Sequence, residues 1–245
     1  YLRSHRLRKA RCLTPALLSG FVVEHGKRVA ATTVQSACGA VRVFLRFLYR
    51  ERILPRDLSR VVQSPTQYRL SGIPRSITWD EVRRMLEGVD RQTPTGRRDY
   101  ALLLLLVSYG LRASEVAALT LDDVDWEKNR LTVARRKAGN STVYPLSLPV
   151  GHALVDYLQH GRPATEHRRI FLRTWAPRAP LEGPGVSCRA AHYLHKAGVK
   201  VPKPGSHTLR HTCVQRLVDA KFSMKVIGDY VGHRHPSSTR IYSKV

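Results

Sequence analysis

The longest apolar run of the chain, ALLLLLV at residues 101–107, is the feature that most restricts its fold. A membrane-spanning helix needs about 20 apolar residues, so this run is far too short to cross a bilayer. It lies within a helical pattern over 99–109 that Gly110 ends. A helix that is apolar on every side is buried inside a protein. We therefore predict a core helix, in a chain whose 245 residues and 42% hydrophobic content allow two domains.

The order of helical and irregular segments predicts two domains joined by a linker. Residues 1–64 have a helical pattern, and residues 65–76, with two prolines, a glycine and no periodicity, are typical of a linker. A second domain follows over 77–245. Because the chain starts with Tyr1 and not Met, we expect further residues before it in the natural protein. The clearest helix of the first domain spans 30–52, and its predicted apolar stripe consists of Val34, Ala37, Val41, Phe44, Leu45 and Leu48.

The second domain combines helices with one predicted hairpin. The sequence TWDE at 78–81 is a capping box that begins a helix. The alternating segments 131–134 and 142–146 predict two strands, with Gly139 and Asn140 in the turn between them. Residues 162–185 are rich in Pro, Arg and Gly and are predicted as a loop. Further helices are predicted over 114–119, 150–159, 186–197, 208–220, 225–231 and 237–243. The expected fold class is mainly α with a small antiparallel sheet.

The charge of the chain indicates a polyanionic partner. It has 42 Lys and Arg against 18 Asp and Glu, a net charge of +24, which is typical of nucleic-acid binding but is shared by basic ribosomal proteins and membrane-surface binders. Residues 1–62 alone contain 13 basic and 3 acidic side chains. Arg42, Arg46 and Arg50 lie four residues apart on a face away from the apolar stripe. They are either a solvated face or, as we predict, contacts to DNA phosphates.

The stretch SHTLRHTCVQRL gathers three basic side chains within one predicted helical turn. His207, Arg210 and His211 share a face because residues three and four apart are neighbours on a helix, and Ser206 is the predicted N-cap. Two histidines four apart also occur in zinc sites, but the Glu of an HExxH motif is missing and an Arg cannot ligate a metal. Arg binds phosphate through its planar fork of donors. The stretch is therefore either a phosphate site at a helix start or an ordinary polar surface.

Four further stretches gain meaning from their order along the chain. YGLRASEVAAL places Arg112 between two helices, and RRKAGN places Lys137 at the hairpin tip. VGHRH places His233 after a helix, and SSTRIYSKV places Tyr242 close to the last residue. Each stretch alone has an ordinary structural explanation. The order and spacing of all four stretches, combined with the His-x-x-Arg pair, are improbable in an unrelated chain.

Together these motifs resemble the tyrosine recombinase (phage integrase) family over residues 76–245, and more loosely over the helical N-terminal region. The family's active site is Arg, Lys, His-x-x-Arg, His or Trp, and Tyr, in that order. The resemblance implies a helical N-terminal core-binding domain and a mixed α/β catalytic domain. RRKAGN departs from the more usual Gly-Lys-Gly turn, and its Arg135 and Arg136 are predicted to bind DNA. The active-site positions that the resemblance assigns are Arg112, Lys137, His207, Arg210, His233 and the nucleophile Tyr242.

These residue types suit the cleavage of a phosphodiester by a protein nucleophile. The transition state is a pentacoordinate phosphate, to whose oxygens two arginines can offer forked donors and His233 a hydrogen bond. A phenol needs a base, which His207 can be, and Lys137 can protonate the leaving 5′ oxygen. Glu115 is expected to orient an arginine, and His211 to be structural. A 3′-phosphotyrosine keeps the bond energy, so we expect rejoining without ATP, metal or another cofactor.

Two other functions stay open beside the recombinase. A type IB topoisomerase has a similar Arg-Lys-Arg-His-Tyr site and would relax supercoils as a monomer. A non-catalytic DNA binder on the same fold would have no use for Tyr242. The resemblance itself implies site-specific strand exchange by a homo-tetramer on two DNA duplexes, through a Holliday junction, in integration, excision or transposition of a mobile element. The sequence identifies neither the DNA target nor any accessory protein.

The cysteines bear on the cellular compartment. None of Cys12, Cys38, Cys188 and Cys213 shows C-x-x-C spacing, so buried reduced thiols are expected. No secretory signal is visible, and no membrane partner is expected. We therefore expect a cytoplasmic protein that associates with the nucleoid when it is bound to DNA.

Overall fold

The computed structural model of the chain describes residues 9–66, 76–134 and 141–232. The chain divides into two compact units, Tyr1–Gly72 and Ile73–Val245. The boundary between them falls within 65–76, the segment interpreted above as a linker. Each unit has an apolar core of its own.

The first unit is helical throughout its described residues. Helix α1 begins after Thr14, whose side chain accepts the Leu17 N–H at 3.3 Å, and Pro at the first helical position suits this start. The helix predicted over 30–52 is confirmed to within two residues at either end. The elements are a 3₁₀ turn (Ala10–Cys12), helix α1 (Pro15–Gly26), helix α2 (Ala31–Arg50) and a second 3₁₀ turn (Ser59–Val61).

The buried seam of α2 differs from the predicted stripe. Val34, Leu45 and Leu48 are buried as predicted, but Phe44 is 52% exposed and Cys38 is fully buried. Cys38 lies one helical turn after Val34 and so continues its row toward the core. Phe44 precedes Leu45 by one residue and therefore points about 100° away around the helix.

The second unit contains seven helices and one sheet among its described residues. Helix α3 begins with the predicted capping box, in which Thr78 and Glu81 exchange hydrogen bonds between side chain and backbone N–H. The helices are α3 (Trp79–Glu87), α4 (Pro94–Tyr109), α5 (Ala113–Ala118), α6 (Leu148–His160), α7 (Gly183–Lys196), α8 (Ser206–Asp219) and α9 (Met224–Val231).

Helix α4 is the centre of this unit, packing mainly against α6 and α8. All seven residues of the apolar run 101–107 are buried, which confirms the predicted core helix. The helix begins five residues earlier than predicted, because Thr93 accepts the Gly96 N–H at 3.1 Å and Pro94 takes the first helical position. Gly110 ends the helix, as predicted, and its backbone has the left-handed conformation.

The sheet has three antiparallel strands in the order β1 (Val124–Asp125), β2 (Arg130–Val133) and β3 (Thr142–Pro145). The predicted hairpin is confirmed, with Leu131 opposite Tyr144 in the register. Both of these side chains face the core, while Val143 is 55% exposed. Strand β1 was not predicted, because two residues are too few to show a period of two. The predicted turn at Gly139 and Asn140 lies outside the described residues.

The segment predicted as a loop, 162–185, is anchored more firmly than its composition suggests. It contains no helix or strand before α7 begins, but Phe171 and Leu172 in it are fully buried. Arg98 donates to the Leu172 carbonyl at 3.0 Å and to the buried Asp99 carboxylate at 2.7 Å. Arg189 of α7 donates to the other Asp99 oxygen at 2.7 Å. The fully buried Asp99 carboxylate therefore joins α4 to α7, and it also holds Arg98, which bonds the loop.

The prediction of buried thiols is right for two cysteines and wrong for two. Cys38 and Cys213 are buried, whereas Cys12 and Cys188 are exposed, and all four are free. Cys188 lies two residues from the buried Val186, which on a helix is about 200° away from the core side.

The described residues bear out the predicted fold class, mainly α with a small antiparallel sheet. Among them, no helix combines the length and the apolar character that crossing a bilayer requires.

Candidate active site

The turn between α4 and α5 places Arg112. Gly110 has φ 59° and ψ 31°, a conformation that favours glycine. A Cβ at this position would lie 3.1 Å from Val231 and 3.2 Å from the sulfur of Cys213, so the close approach of α8 and α9 also requires glycine. Arg112 follows two residues later as the N-cap of α5.

Glu115 holds Arg112 at both its backbone and its side chain. One carboxylate oxygen accepts the Arg112 backbone N–H at 2.9 Å, and the other accepts from Nη1 at 2.6 Å. Glu115 is only 8% exposed, and the side chain of Arg112 is 22% exposed. The carboxylate therefore caps α5 and fixes the direction of a guanidinium that still reaches the surface.

Helix α8 begins at Ser206, two residues before the predicted range of 208–220. Gly205, with φ 153°, occupies the N-cap position, and Ser206 is the first helical residue, so the prediction of Ser206 as N-cap is wrong. A Cβ at Gly205 would lie 2.8 Å from Ser187 Oγ, so any larger residue would displace the Ser187 side chain. The Ser206 hydroxyl instead lies 3.2 Å from the Ser187 hydroxyl and ties α8 to α7.

Arg210 lies under the surface, where it bonds two main-chain carbonyls. Arg210 is only 5% exposed. Nη1 donates to the Gly110 carbonyl, and Nη2 donates to the Val231 carbonyl at 2.6 Å. Arg112 Nη2 donates to the next carbonyl, that of Gly232, at 2.8 Å. The two arginines, 98 positions apart in the sequence, therefore meet at the end of α9.

A single cleft joins Arg112, Glu115 and His207. His207 is exposed in it, whereas Arg210 is not among the cleft-lining residues. Arg169 and the hydroxyl-bearing Ser114 and Ser187 also line this cleft, and were not predicted. Arg169 comes to it because its segment bridges to Thr120 and its Nη1 donates to the Ala118 carbonyl, a long-range pairing that leaves no local sequence signal.

His211 differs from His207 in its surroundings although the two rings are 6.4 Å apart. Burial, and after it the positive charges of His207 and Arg210, lower the pKa of His211 to about 4. Its imidazole is therefore neutral at neutral pH. A neutral, half-buried ring fits a structural role.

Five of the predicted site residues lie outside the described residues: Lys137, His233, Tyr242, Arg135 and Arg136. The strands that flank the hairpin turn are described on both sides, as is α9 up to Gly232, the residue before His233. Tyr230, the last described tyrosine, donates its hydroxyl to the Ser108 carbonyl at 3.2 Å. Burial raises the pKa of Tyr230, so this phenol has no nucleophilic character at neutral pH.

The three arginines predicted to bind DNA in the first unit differ in their contacts. Arg42 donates to the Val62 carbonyl and to Ser64 Oγ, both at 2.9 Å. Arg46 donates to Ser59 Oγ at 3.4 Å, and Arg50 is exposed. Arg42 and Arg46 thus attach α2 to the segment that follows it, which was not predicted. Since a guanidinium has five donors, phosphate binding by all three stays a prediction.

Residues 75–245 match the model of the phage integrase family. The chain belongs to the phage integrase family. The resemblance inferred from the motifs is thereby confirmed, and all six predicted active-site positions lie inside the matched range.

Relatives in the phage integrase family extend the match into the first unit. A Sinorhizobium fredii protein named as an integrase/recombinase, y4rA, is 38% identical over 234 residues, which are 95% of this chain and 57% of that protein. The tyrosine recombinase XerD of Mycobacterium tuberculosis is 32% identical over 226 residues, 89% of this chain and 71% of that protein. The chain spans little more than half the length of y4rA and of a second Sinorhizobium fredii relative, y4rF.

Solved structures of recombinases have the same fold. The XerH site-specific recombinase, bound to its palindromic difH substrate, has a TM-score of 0.78 at 16% identity and covers 96% of this chain and 70% of its own. A lambda integrase dimer bound to a COC′ core site has a TM-score of 0.73 at 17% identity, covering 95% of this chain and 80% of its own. At this identity the likeness establishes the fold alone.

Proposed function

We propose that this chain is a site-specific DNA recombinase that cleaves and rejoins strands through a covalent 3′-phosphotyrosine at Tyr242. The observation that carries the proposal is the arrangement of Arg112, His207 and Arg210. Residues distant in the sequence converge on one turn and one cleft, in a chain of the phage integrase family. Relatives that are 38% and 32% identical to this chain are named as an integrase/recombinase and a tyrosine recombinase.

The arrangement can stabilise a phosphate along a cleavage reaction. The guanidinium of Arg112, fixed by Glu115 and open to the cleft, can bind a non-bridging oxygen of the scissile phosphate. Arg210, which bonds the carbonyl next to the one that Arg112 bonds, would supply a second positive charge nearby. His207, exposed in the same cleft, would take the phenolic proton as Tyr242 attacks phosphorus.

The remaining steps fall to residues outside the described part of the chain. Lys137 would donate a proton to the 5′ oxygen as its bond to phosphorus breaks, and His233 would hydrogen bond to the phosphate. The products are a 3′-phosphotyrosyl strand and a free 5′ hydroxyl. When a 5′ hydroxyl from another duplex attacks the phosphotyrosine, the tyrosine leaves and the strand is rejoined without loss of the bond energy.

The partner would be double-stranded DNA, bound largely through its phosphates. The net charge of +24 supports this, as do the DNA sites bound by XerH and lambda integrase. Likeness to a Tn1549 transposon integrase in complex with circular intermediate DNA supports a role in moving a genetic element. We propose further that the protein acts in the cytoplasm as a homo-tetramer on two duplexes and forms a Holliday junction.

The experiment that tests this function is a covalent trap. The chain is incubated with nicked, fragmented genomic DNA, denatured in SDS and examined for protein-linked DNA, and the linked ends are sequenced. A 3′ adduct that forms with wild type and with the control Tyr49→Phe, but not with Tyr242→Phe, supports the proposal. Tyr49 is a suitable control because it is exposed on α2, in the other unit.

The sequences of the trapped ends distinguish the recombinase from the alternatives. Recurring ends would identify a recombination site. Scattered ends, with relaxation of supercoiled plasmid by the monomer, would indicate a type IB topoisomerase instead. Tight DNA binding without any adduct would contradict the enzymatic proposal and favour a non-catalytic binder.

A further inference from the structure

The C-terminal end of α9 is held by side chains from three other elements. The last four carbonyls of a helix have no donor within the helix. At this end, three successive carbonyls each accept one hydrogen bond from a side chain. The first donor lies on strand β3, the second on α8 and the third at the start of α5. The donor and acceptor residues are Tyr144 to Tyr230, Arg210 to Val231 at 2.6 Å, and Arg112 to Gly232 at 2.8 Å.

Two of these donors are the arginines assigned to the phosphate, and the third comes from the hairpin. Tyr144 lies on β3, and Lys137 belongs to the segment between β2 and β3. The acceptor carbonyls lie immediately before His233, and Tyr242 is ten residues beyond Gly232. The Tyr144 hydroxyl therefore connects the strand that leads from Lys137 to the helix end that leads to the nucleophile.

The surroundings of Tyr144 leave its ring little freedom. Tyr144 is 1% exposed. Its ring centroid lies 5.0 Å from that of Tyr109 and 5.1 Å from that of Tyr230, and the contact with Tyr230 is edge to face. The neighbouring strand residue is held as well, because the Tyr109 hydroxyl donates to the Pro145 carbonyl at 2.9 Å. Strand β3 is thus attached to α4 and to α9 at two successive residues.

We propose that Tyr144 is a positioning residue: its hydroxyl holds strand β3, which follows the segment containing Lys137, against the end of α9 where the two arginines bond, and proton donation to the leaving 5′ oxygen depends on this attachment. This inference rests on the proposed function, since it assigns Tyr144 a part in the same reaction. Tyr144 itself touches neither DNA nor the reacting atoms. Its effect on the reaction passes through Lys137.

The role of the leaving group makes this inference testable. A 5′ oxygen needs a proton as it leaves, whereas a 5′ sulfur leaves as a thiolate, since the pKa of a thiol is only about 8.5. A change that displaces Lys137 therefore slows cleavage of the ordinary substrate and spares the sulfur-substituted one. A change that weakens the fold, the DNA contacts or the attack by Tyr242 slows both substrates alike.

The experiment compares Tyr144→Phe with Tyr157→Phe, a matched control. Tyr157 is equally buried, and its hydroxyl accepts from the Leu172 backbone N–H at 3.3 Å, away from the hairpin and α9. The substrates are two nicked duplexes carrying the site recovered by covalent trapping, with oxygen or sulfur at the 5′ bridging position. Single-turnover cleavage rates are measured at saturating protein, and DNA affinity is measured separately by fluorescence anisotropy.

We expect Tyr144→Phe to cleave the oxygen substrate about 10²-fold more slowly than wild type, the loss typical of a catalytic group displaced by about 1 Å. Cleavage of the sulfur substrate and DNA affinity should stay within about threefold of wild type, as should both rates of Tyr157→Phe. Lys137→Ala should show the same pattern, and adding Tyr144→Phe to it should slow the oxygen substrate little further.

Two results would overturn the inference while leaving the proposed function intact. The first is a Tyr144→Phe rate on the oxygen substrate close to that of wild type. The second is an equal slowing on both substrates, which would mean that Tyr144 acts through the fold or the nucleophile. If wild-type protein forms no adduct on either substrate, the proposed function fails, and the role of Tyr144 fails with it.

Discussion

Arg210 is predicted to stabilise the fold as well as to bind phosphate, and its replacement should show this in the absence of DNA. The residue is 5% exposed, and its guanidinium bonds the carbonyls of Gly110 and Val231, which belong to different helix ends. Arg210→Ala removes both donors from this buried position and leaves a space where the side chain was.

The expected loss follows from these two bonds. A hydrogen bond from a charged group contributes about 1.5–3 kcal/mol, so the pair contributes about 3–6 kcal/mol. For a domain of 150–250 residues, 1 kcal/mol corresponds to about 2–4 °C in Tm. Arg210→Ala should therefore lower Tm by at least about 6 °C. Arg210→Lys keeps the charge but not the planar fork, and should lie between alanine and wild type.

The measurement is thermal unfolding by circular dichroism of the chain without DNA. The control is Arg216→Ala on the same helix, because the exposed guanidinium of Arg216 only covers the ring of Trp79, at 4.5 Å from its centroid. Such a contact contributes about 0.5–1 kcal/mol, so the control should unfold within about 4 °C of wild type. An Arg210→Ala variant that unfolds as late as this control would refute a structural role for Arg210.

Four further outcomes are expected. Asp99→Asn should lower the unfolding free energy in urea by about 3–5 kcal/mol, since it removes the fully buried carboxylate between two arginines; a loss below about 1 kcal/mol would contradict this. Because the folded-state pKa of His211, about 4, lies below the unfolded value of 6.5, its contribution is complete above pH 6.5 and is lost toward pH 4. In His211→Asn, the loss of unfolding free energy between pH 6.5 and pH 4 should be smaller than in wild type by about 2 kcal/mol, a value that allows for the partial exposure of the ring. An equal loss in both proteins would show that His211 does not cause it. Gly110→Ala should cost about 1–2 kcal/mol from the left-handed backbone alone, and a wild-type Tm would be inconsistent with the observed φ of 59°. Affinity for duplex DNA, measured by anisotropy, should fall at least about 10²-fold between 50 and 200 mM salt, and a flat response would argue against binding through phosphates.

Features that depend on neighbours in the sequence were predictable. The capping box at Thr78, the stop at Gly110 and the seven-residue apolar run of α4 each arise from residues within one or two turns of each other. The hairpin strands follow from the alternation of side chains about a Gly-Asn turn. Starts of helices were less certain, because any of several small or polar residues can take the N-cap, as Gly205 does in place of Ser206.

Features that depend on packing were not predictable. Phe44 was predicted to be buried because it is apolar. Which side of α2 is buried depends on the elements that α2 packs against, and that side contains Cys38 and not Phe44. Arg169 gave no signal, because only the bridge from its segment to Thr120 brings it to the cleft. The anchoring of the loop at Leu172 depends on Arg98 and Asp99, more than 70 residues away.

The sequence by itself determined the residue types of the proposed site, their order, the helices that carry Arg112, His207 and Arg210, and the charge that suits a polyanion. These properties are local or additive, so no long-range contact is needed to establish them. Only the tertiary structure decided that Arg112 and Arg210 bind successive carbonyls at the end of α9, that Tyr144 joins the hairpin to that same end, and that His211 is held neutral beside His207. The reason is physical: hydrogen bonds and desolvation act over a few ångströms, and folding alone brings together groups as distant in the chain as Arg112 and Gly232, which are 120 positions apart.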